Sequence, residues 1–246
     1  MNLSGPPTCE VRVPAPIAAQ AADRPLRPVW QNTLGGLTFQ IGTGQARLFA
    51  KWAPVGSGLD LAAEATRLSW AARFTPVPRV LDHGADEEGA WLVTHGLPGE
   101  SAVSPRWTAD PGTAVRALGA GLRALHEQLP VADCPFSWSV AHRLERARSA
   151  GLDVPADLRT PPVDRLVVCH GDACAPNTLL SADGSWSGHV DLGTLGVADR
   201  WADIAVAGWS TEWNYGPGWE QTFLDAYGIA PDPERTDFYR NLWDRT

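Results

Sequence analysis

Between residues 29 and 54 (VWQNTLGGLTFQIGTGQARLFAKWAP), apolar and β-prone positions are broken by Gly35-Gly36 and by Gly42 and Gly44. That is the pattern of short antiparallel strands joined by turns. Asn32, Thr33 and the two glycines form the expected tip of the first hairpin. Leu48, Ala50 and Trp52 alternate with Phe49 and Lys51, which puts Lys51 on a strand. In residues 58–74 (GLDLAAEATRLSWAARF) the period changes: Leu61, Ala65, Leu68 and Ala72 recur at three or four residues, with Asp60 as a cap and TPVPRV as a stop. Residues 77–99 read as two strands around an acidic turn. Asp110 to Gln128 reads as a helix with Val115, Leu118, Leu122 and Leu125 on one face.

A further helix is expected over 139–152, then a loop over 153–164. RLVVCH and SGHVDLG are expected as short strands, and from Asp199 onward the chain reads mainly as helices. The first 28 residues, rich in Pro and Ala, show no firm periodicity. The switch from strand-rich to helix-rich sequence divides the chain into a weakly patterned segment (1–28), a smaller N-terminal lobe (29–96) and a larger C-terminal lobe (97–246).

Charge and composition narrow the class of function. The formal charge is −8, which argues against a nucleic-acid partner and suits a cationic one if carboxylates converge. Cys9, Cys134, Cys169 and Cys174 form no CxxC pair, and no signal peptide or membrane-length apolar run is evident, so a cytoplasmic enzyme or binding protein is expected. Lys51 is the single lysine beside nineteen arginines. A lone ammonium in such a chain points to a position that a guanidinium cannot fill.

The densest chemistry lies in VVCHGDACAPNTLL (167–180). A zinc site from Cys169, His170 and Cys174 lacks a fourth ligand and the usual close cysteine pair. Neighbouring Cys169 and His170 on a strand point to opposite faces, which disfavours a thiol nucleophile. The spacing His170-Gly171-Asp172-x4-Asn177 fits better, with Asp191 leaving the next strand. Two carboxylates and an amide oxygen are hard donors suited to Mg²⁺. Asp172 would take or align the proton of an attacking hydroxyl, Asn177 and Asp191 would hold the metal, and Lys51, oriented by Glu64, would grip phosphates. Taken singly, Asp172 and Asp191 also read as turn residues and Asn177 as a cap.

These segments resemble the aminoglycoside phosphotransferases, relatives of the eukaryotic protein kinases. CHGDACAPN resembles the catalytic loop of that family, and HVDLGTLGVADRWADIAVA its metal-binding segment. LFAKWAP with LAAEATRLSW resembles the lysine strand and glutamate helix. The resemblance covers about residues 30–243. It implies an α+β, two-lobed protein-kinase-like fold, with a five-stranded antiparallel sheet and a helix in the smaller lobe and a mainly helical larger lobe. It further implies ATP as donor, with GTP as the alternative, and adenine contacts near Thr94 and Gly96. Gly35 and Gly36 would lie in the phosphate-covering loop.

VVCHGDACAPN and LGTLGVADRWADIA look most like enzymes that phosphorylate streptomycin at the 3″-hydroxyl and thereby confer resistance. The 3′-kinases of kanamycin- and neomycin-type antibiotics are the alternative. A kinase of another small metabolite and an inactive ligand-binding relative complete the set. Thr194 stands where the family usually has arginine. The cationic acceptor calls for anions: Asp244 first, then Asp199, Asp203, Glu212 and Asp237, with Asp199 and Asp203 expected four apart on one helix. A monomer is expected, with a dimer as the alternative.

Overall fold

The computed structural model describes residues 4–154 and 158–246; residues 155–157, inside the loop expected over 153–164, lie outside the described residues. Backbone contacts group the chain into two units, one from the N-terminal residues to Arg73 with Val77–Leu97, the other from Phe74–Pro76 with Pro98–Thr246.

In the first unit the sequence period becomes a five-stranded antiparallel sheet: β1 (Leu26–Gln31), β2 (Leu37–Ile41), β3 (Leu48–Pro54), β4 (Val80–Ala85) and β5 (Gly89–His95), ordered β1-β2-β3-β5-β4. The Pro/Ala-rich start is not featureless. It forms α1 (Ala15–Ala21), whose Ile17 and Ala21 join Phe39, Ile41, Ala50 and Val93 in one buried cluster. The helix has only two apolar anchors in one short run, too few to show a period in sequence; Pro16 near its start fixes the first turn. Fully burying a side chain such as Ile17 contributes about 1.5–3 kcal/mol, so α1 is held by packing rather than by propensity.

Lys51 pairs with Thr38 on one side and Leu92 on the other, while its neighbour Ala50 is buried in the α1 cluster. Alternation therefore sends Lys51 to the opposite face. There, α2 (Leu61–Ala71) starts from Asp60, whose carboxylate accepts a hydrogen bond from Ala63 N–H at 2.8 Å, the expected cap.

The second unit is mainly helical. It contains β6 (Glu100–Ser101), α3 (Pro105–Thr108), α4 (Pro111–Gln128), α5 (Val140–Ser149), β7 (Leu166–Cys169), β8 (Thr178–Leu180), β9 (Trp186–His189), β10 (Gly196–Asp199), α6 (Trp201–Tyr215), α7 (Glu220–Tyr227) and α8 (Pro233–Arg245). The apolar face of α4 (Val115, Leu118, Leu122, Leu125) is buried and packs on α7. β7 pairs with β10, and β8 lies between β6 and β9. The turns leaving these two small sheets carry His170, Asp172, Asn177 and Asp191. No helix among the described residues is long and apolar enough to cross a membrane.

Candidate active site

In the first unit, Lys51 Nζ donates to Glu64 Oε1 at 2.7 Å, with the carboxylate buried on α2. A buried partner fixes the direction of the ammonium, which a mobile surface pair does not. Gly35, at φ +84°, and Gly36 form the tip of the β1–β2 hairpin. Asn32 closes that tip by accepting from Leu34 N–H and Gly36 N–H. Thr94 lies inside β5 between β3 and β4, and its hydroxyl faces Phe49 O. Gly96 N–H donates to Arg47 O at 2.9 Å, so this amide is already committed to the chain.

In the second unit, β7 delivers His170, Gly171 and Asp172. Asn177 Nδ2 donates to both Asp172 O (2.9 Å) and Asp172 Oδ2 (3.1 Å). That leaves the amide oxygen of Asn177 as its ligating atom. Asp172 Oδ1 is buried without a hydrogen-bond partner. Burial first, and then the negative charge of Asp191, push the Asp172 carboxyl above its ordinary value. Asp191 holds a left-handed backbone, φ +66°, rare outside glycine. Two carboxylates that repel, an amide oxygen beside them and a buried oxygen lacking a donor form a set that fits a hard divalent cation.

The loop is fixed from below. His170 Nε2–H donates to Val190 O at 2.9 Å, and its Nδ1 accepts from Asp172 N–H at 3.3 Å, which assigns a neutral ring. Val190 precedes Asp191, so one imidazole joins the two acidic segments. Gly171 sits at φ +88°, and a Cβ there would meet Thr194 O at 2.4 Å. Gly171→Ala should therefore cost about 1–3 kcal/mol of strain and lower activity through displacement of Asp172; thermal unfolding and turnover of the same variant check this.

Asp199 and Asp203 are not available to an acceptor. Asp199 ends β10 rather than lying on the helix with Asp203; it is buried and accepts from Asp164 N–H and Trp201 N–H. Asp203 is 0% exposed; it accepts from His170 N–H (2.6 Å), Gly171 N–H (2.9 Å) and His126 Nε2–H (3.0 Å). Both carboxylates are consumed by the protein's own donors, which corrects the expected acceptor role. Glu212, Asp237 and Asp244 are exposed.

His126 was given no role by the sequence. Its Nδ1 pairs with Tyr227 Oη at 2.8 Å, so α4, α6 and α7 all support the loop. His126, Cys169 and Asp203 also lie close enough for a metal. The imidazole is hydrogen-bonded at both nitrogens, however, and Cys169 S–H donates to Asp199 O. Burial pushes the thiols of Cys169 and Cys174 far up, so neither is a nucleophile at neutral pH.

Residues 31–239 match the phosphotransferase enzyme family of the aminoglycoside phosphotransferases. The chain belongs to that family. This phosphotransferase is 40% identical to an aminoglycoside 3′-phosphotransferase of Streptomyces fradiae, over 85% of this chain and 90% of the other. It is 37% identical to a streptomycin 3″-kinase of Streptomyces griseus, over 80% of this chain and 84% of the other.

Among solved structures, the type VIII aminoglycoside 3′-phosphotransferase is similar at TM-score 0.74 and 32% identity, covering 92% of this chain and 95% of the other. APH(3″)-Id from Streptomyces rimosus, in complex with ADP and streptomycin, is similar at TM-score 0.70 and 30% identity, covering 92% and 94%. The two-lobed α+β architecture expected for the phosphotransferase is thus the one observed, including the five-stranded antiparallel sheet.

Proposed function

We propose that the protein transfers the γ-phosphoryl group of ATP to the 3′-hydroxyl of a kanamycin- or neomycin-type aminoglycoside and so confers resistance. The observation that carries phosphoryl transfer is the Asp172–Asn177–Asp191 cluster, with its unpartnered buried oxygen on Asp172. The choice of acceptor reverses the order expected from the motifs. It is supported by the higher identity to the Streptomyces fradiae enzyme and by the type VIII likeness. Streptomycin at its 3″-hydroxyl is the second reading, favoured by the likeness to the streptomycin-bound enzyme.

In this reading Asp172 accepts the hydroxyl proton through the oxygen that has no protein donor, and the Asn177 amide holds the other oxygen still. Asn177 Oδ1 and Asp191 would hold Mg²⁺, which when bound supplies positive charge to the phosphates. Lys51, aimed by Glu64, neutralises a further phosphate oxygen, and the hairpin tip at Gly35 and Gly36 covers the phosphates. Thr94 and Gly96 lie in the segment that meets the base. Asp244, with Glu212 and Asp237, would attract the cationic acceptor.

Lys51→Arg should lower kcat at least tenfold, because a planar fork cannot replace a compact ammonium on the same carboxylate. Steady-state kinetics checks this, with Glu64→Gln expected to move the same parameter in the same direction. The acceptor assignment is tested by incubating the enzyme with ATP, Mg²⁺ and each of kanamycin, neomycin and streptomycin, then locating the phosphate on the product. Turnover of streptomycin alone would replace the first reading by the second.

A further inference from the structure

A concavity lies in the helical unit, lined by Arg123, Glu127, Arg165, Arg200, His126 and Tyr227, with a volume of about 140 Å³. Three guanidinium groups around one hollow are unexpected on a chain of formal charge −8. Arg200 is tied to Asp164 at 2.6 Å and Arg123 to Glu127 at 2.7 Å, with the Arg123 guanidinium against Gly228. Arg165 is exposed and makes no side-chain hydrogen bond or ion pair among the described residues. Arg165 and Arg200 are joined through the backbone, Arg200 N–H donating to Arg165 O at 2.9 Å. Burial pushes the Tyr227 phenol up, and the charges of Arg200 and Arg165 oppose this, so both cations reach the same wall.

The lining of the hollow sets the charge of the ligand, and about 140 Å³ gives room for a tetrahedral oxyanion. Two guanidinium groups already share carboxylates, so the net positive charge resides on Arg165. Planar forks are suited to such an anion.

We propose that this hollow binds a free tetrahedral oxyanion, phosphate or sulfate, between Arg123, Arg165 and Arg200. We further propose that occupancy steadies the catalytic loop. The wall is connected to that loop by consecutive hydrogen bonds: Tyr227 Oη–H to His126 Nδ1, His126 Nε2–H to Asp203, and Asp203 accepting from His170 N–H and Gly171 N–H. Binding that orders one end of such a chain lowers the opening of the other.

Calorimetric titration of the whole enzyme with sodium phosphate, against sodium chloride at matched ionic strength, tests the site. Saturable binding is expected in the wild type. It should be lost in the Arg123→Ala/Arg165→Ala double variant, kept in the corresponding Lys double variant, and tightened several-fold in Glu127→Gln, where a competing carboxylate is removed. Equal affinity in the Ala double variant, or phosphate displaced by AMP but not by sulfate, overturns the assignment. Amide hydrogen exchange reads the connection: phosphate should slow exchange at His170 and Gly171 in the wild type and not in Tyr227→Phe. Unchanged exchange in the wild type overturns the coupling.

Discussion

Asp172→Asn should reduce kcat by about 10²–10⁴-fold, the usual contribution of a positioned general base, while ATP affinity changes by less than about threefold. The side chain keeps its shape and one oxygen, so the Asn177 contact survives, but the group can no longer take a proton. The asymmetry of the site makes the prediction sharp. One carboxylate oxygen is held by Asn177 Nδ2 and the other is buried with no donor. Leaving that oxygen without a strong donor costs about 1–3 kcal/mol, and it leaves the oxygen free to take a hydroxyl proton. An inactive ligand-binding relative predicts no such split between chemistry and nucleotide binding. Kinetics and equilibrium nucleotide binding on the same preparation decide between them.

Asp203→Ala should destabilise the helical unit by about 3–5 kcal/mol, because three buried donors lose their acceptor at about 1–3 kcal/mol each. The substitution removes the acceptor for His170 N–H, Gly171 N–H and the His126 ring at once. Melting should fall by on the order of 10 °C, measured by calorimetry, with activity lost even where the fold persists, because Asp172 is the next residue along the loop. The pH dependence has a definite sign. Burial pushes the Asp203 carboxyl up, but the His126 hydrogen bond and the other donors outweigh it, so its folded value lies below the ordinary 3.8. A depressed carboxylate stabilises fully above the ordinary value, and that contribution fades as the pH falls from there through the folded value. Acid unfolding of the wild type should therefore steepen below about pH 4, and Asp203→Ala should lack that component.

Much of the arrangement was legible because it rests on local periods. Alternation around Lys51 and the three-to-four spacing from Leu61 to Ala72 placed the strand and the helix, and Asp60 capped as expected. The spacing from Asp172 to Asn177 is also local, since both residues belong to one short loop in which the Asn177 amide closes back on Asp172. What sequence could not give are contacts between distant segments. Asp199 and Asp203 look like free acids four apart on a helix, and only the fold reveals that a strand end separates them and that other amides use both. His126 lies 77 residues from Asp203, and nothing near it signals that contact. For α1, two apolar anchors in a proline-rich run are too few to register as a period.

The central claim, that Asp172 and its neighbours move a phosphoryl group from ATP to a sugar hydroxyl, is tested most directly by phosphorus NMR. Kanamycin, ATP and Mg²⁺ are mixed with the wild-type enzyme and, separately, with Asp172→Asn. A new phosphomonoester resonance growing in step with ADP in the wild type and absent from the variant is the predicted result. ADP formed with no phosphorylated acceptor among the aminoglycosides, or the same resonance at the same rate in the variant, would contradict it.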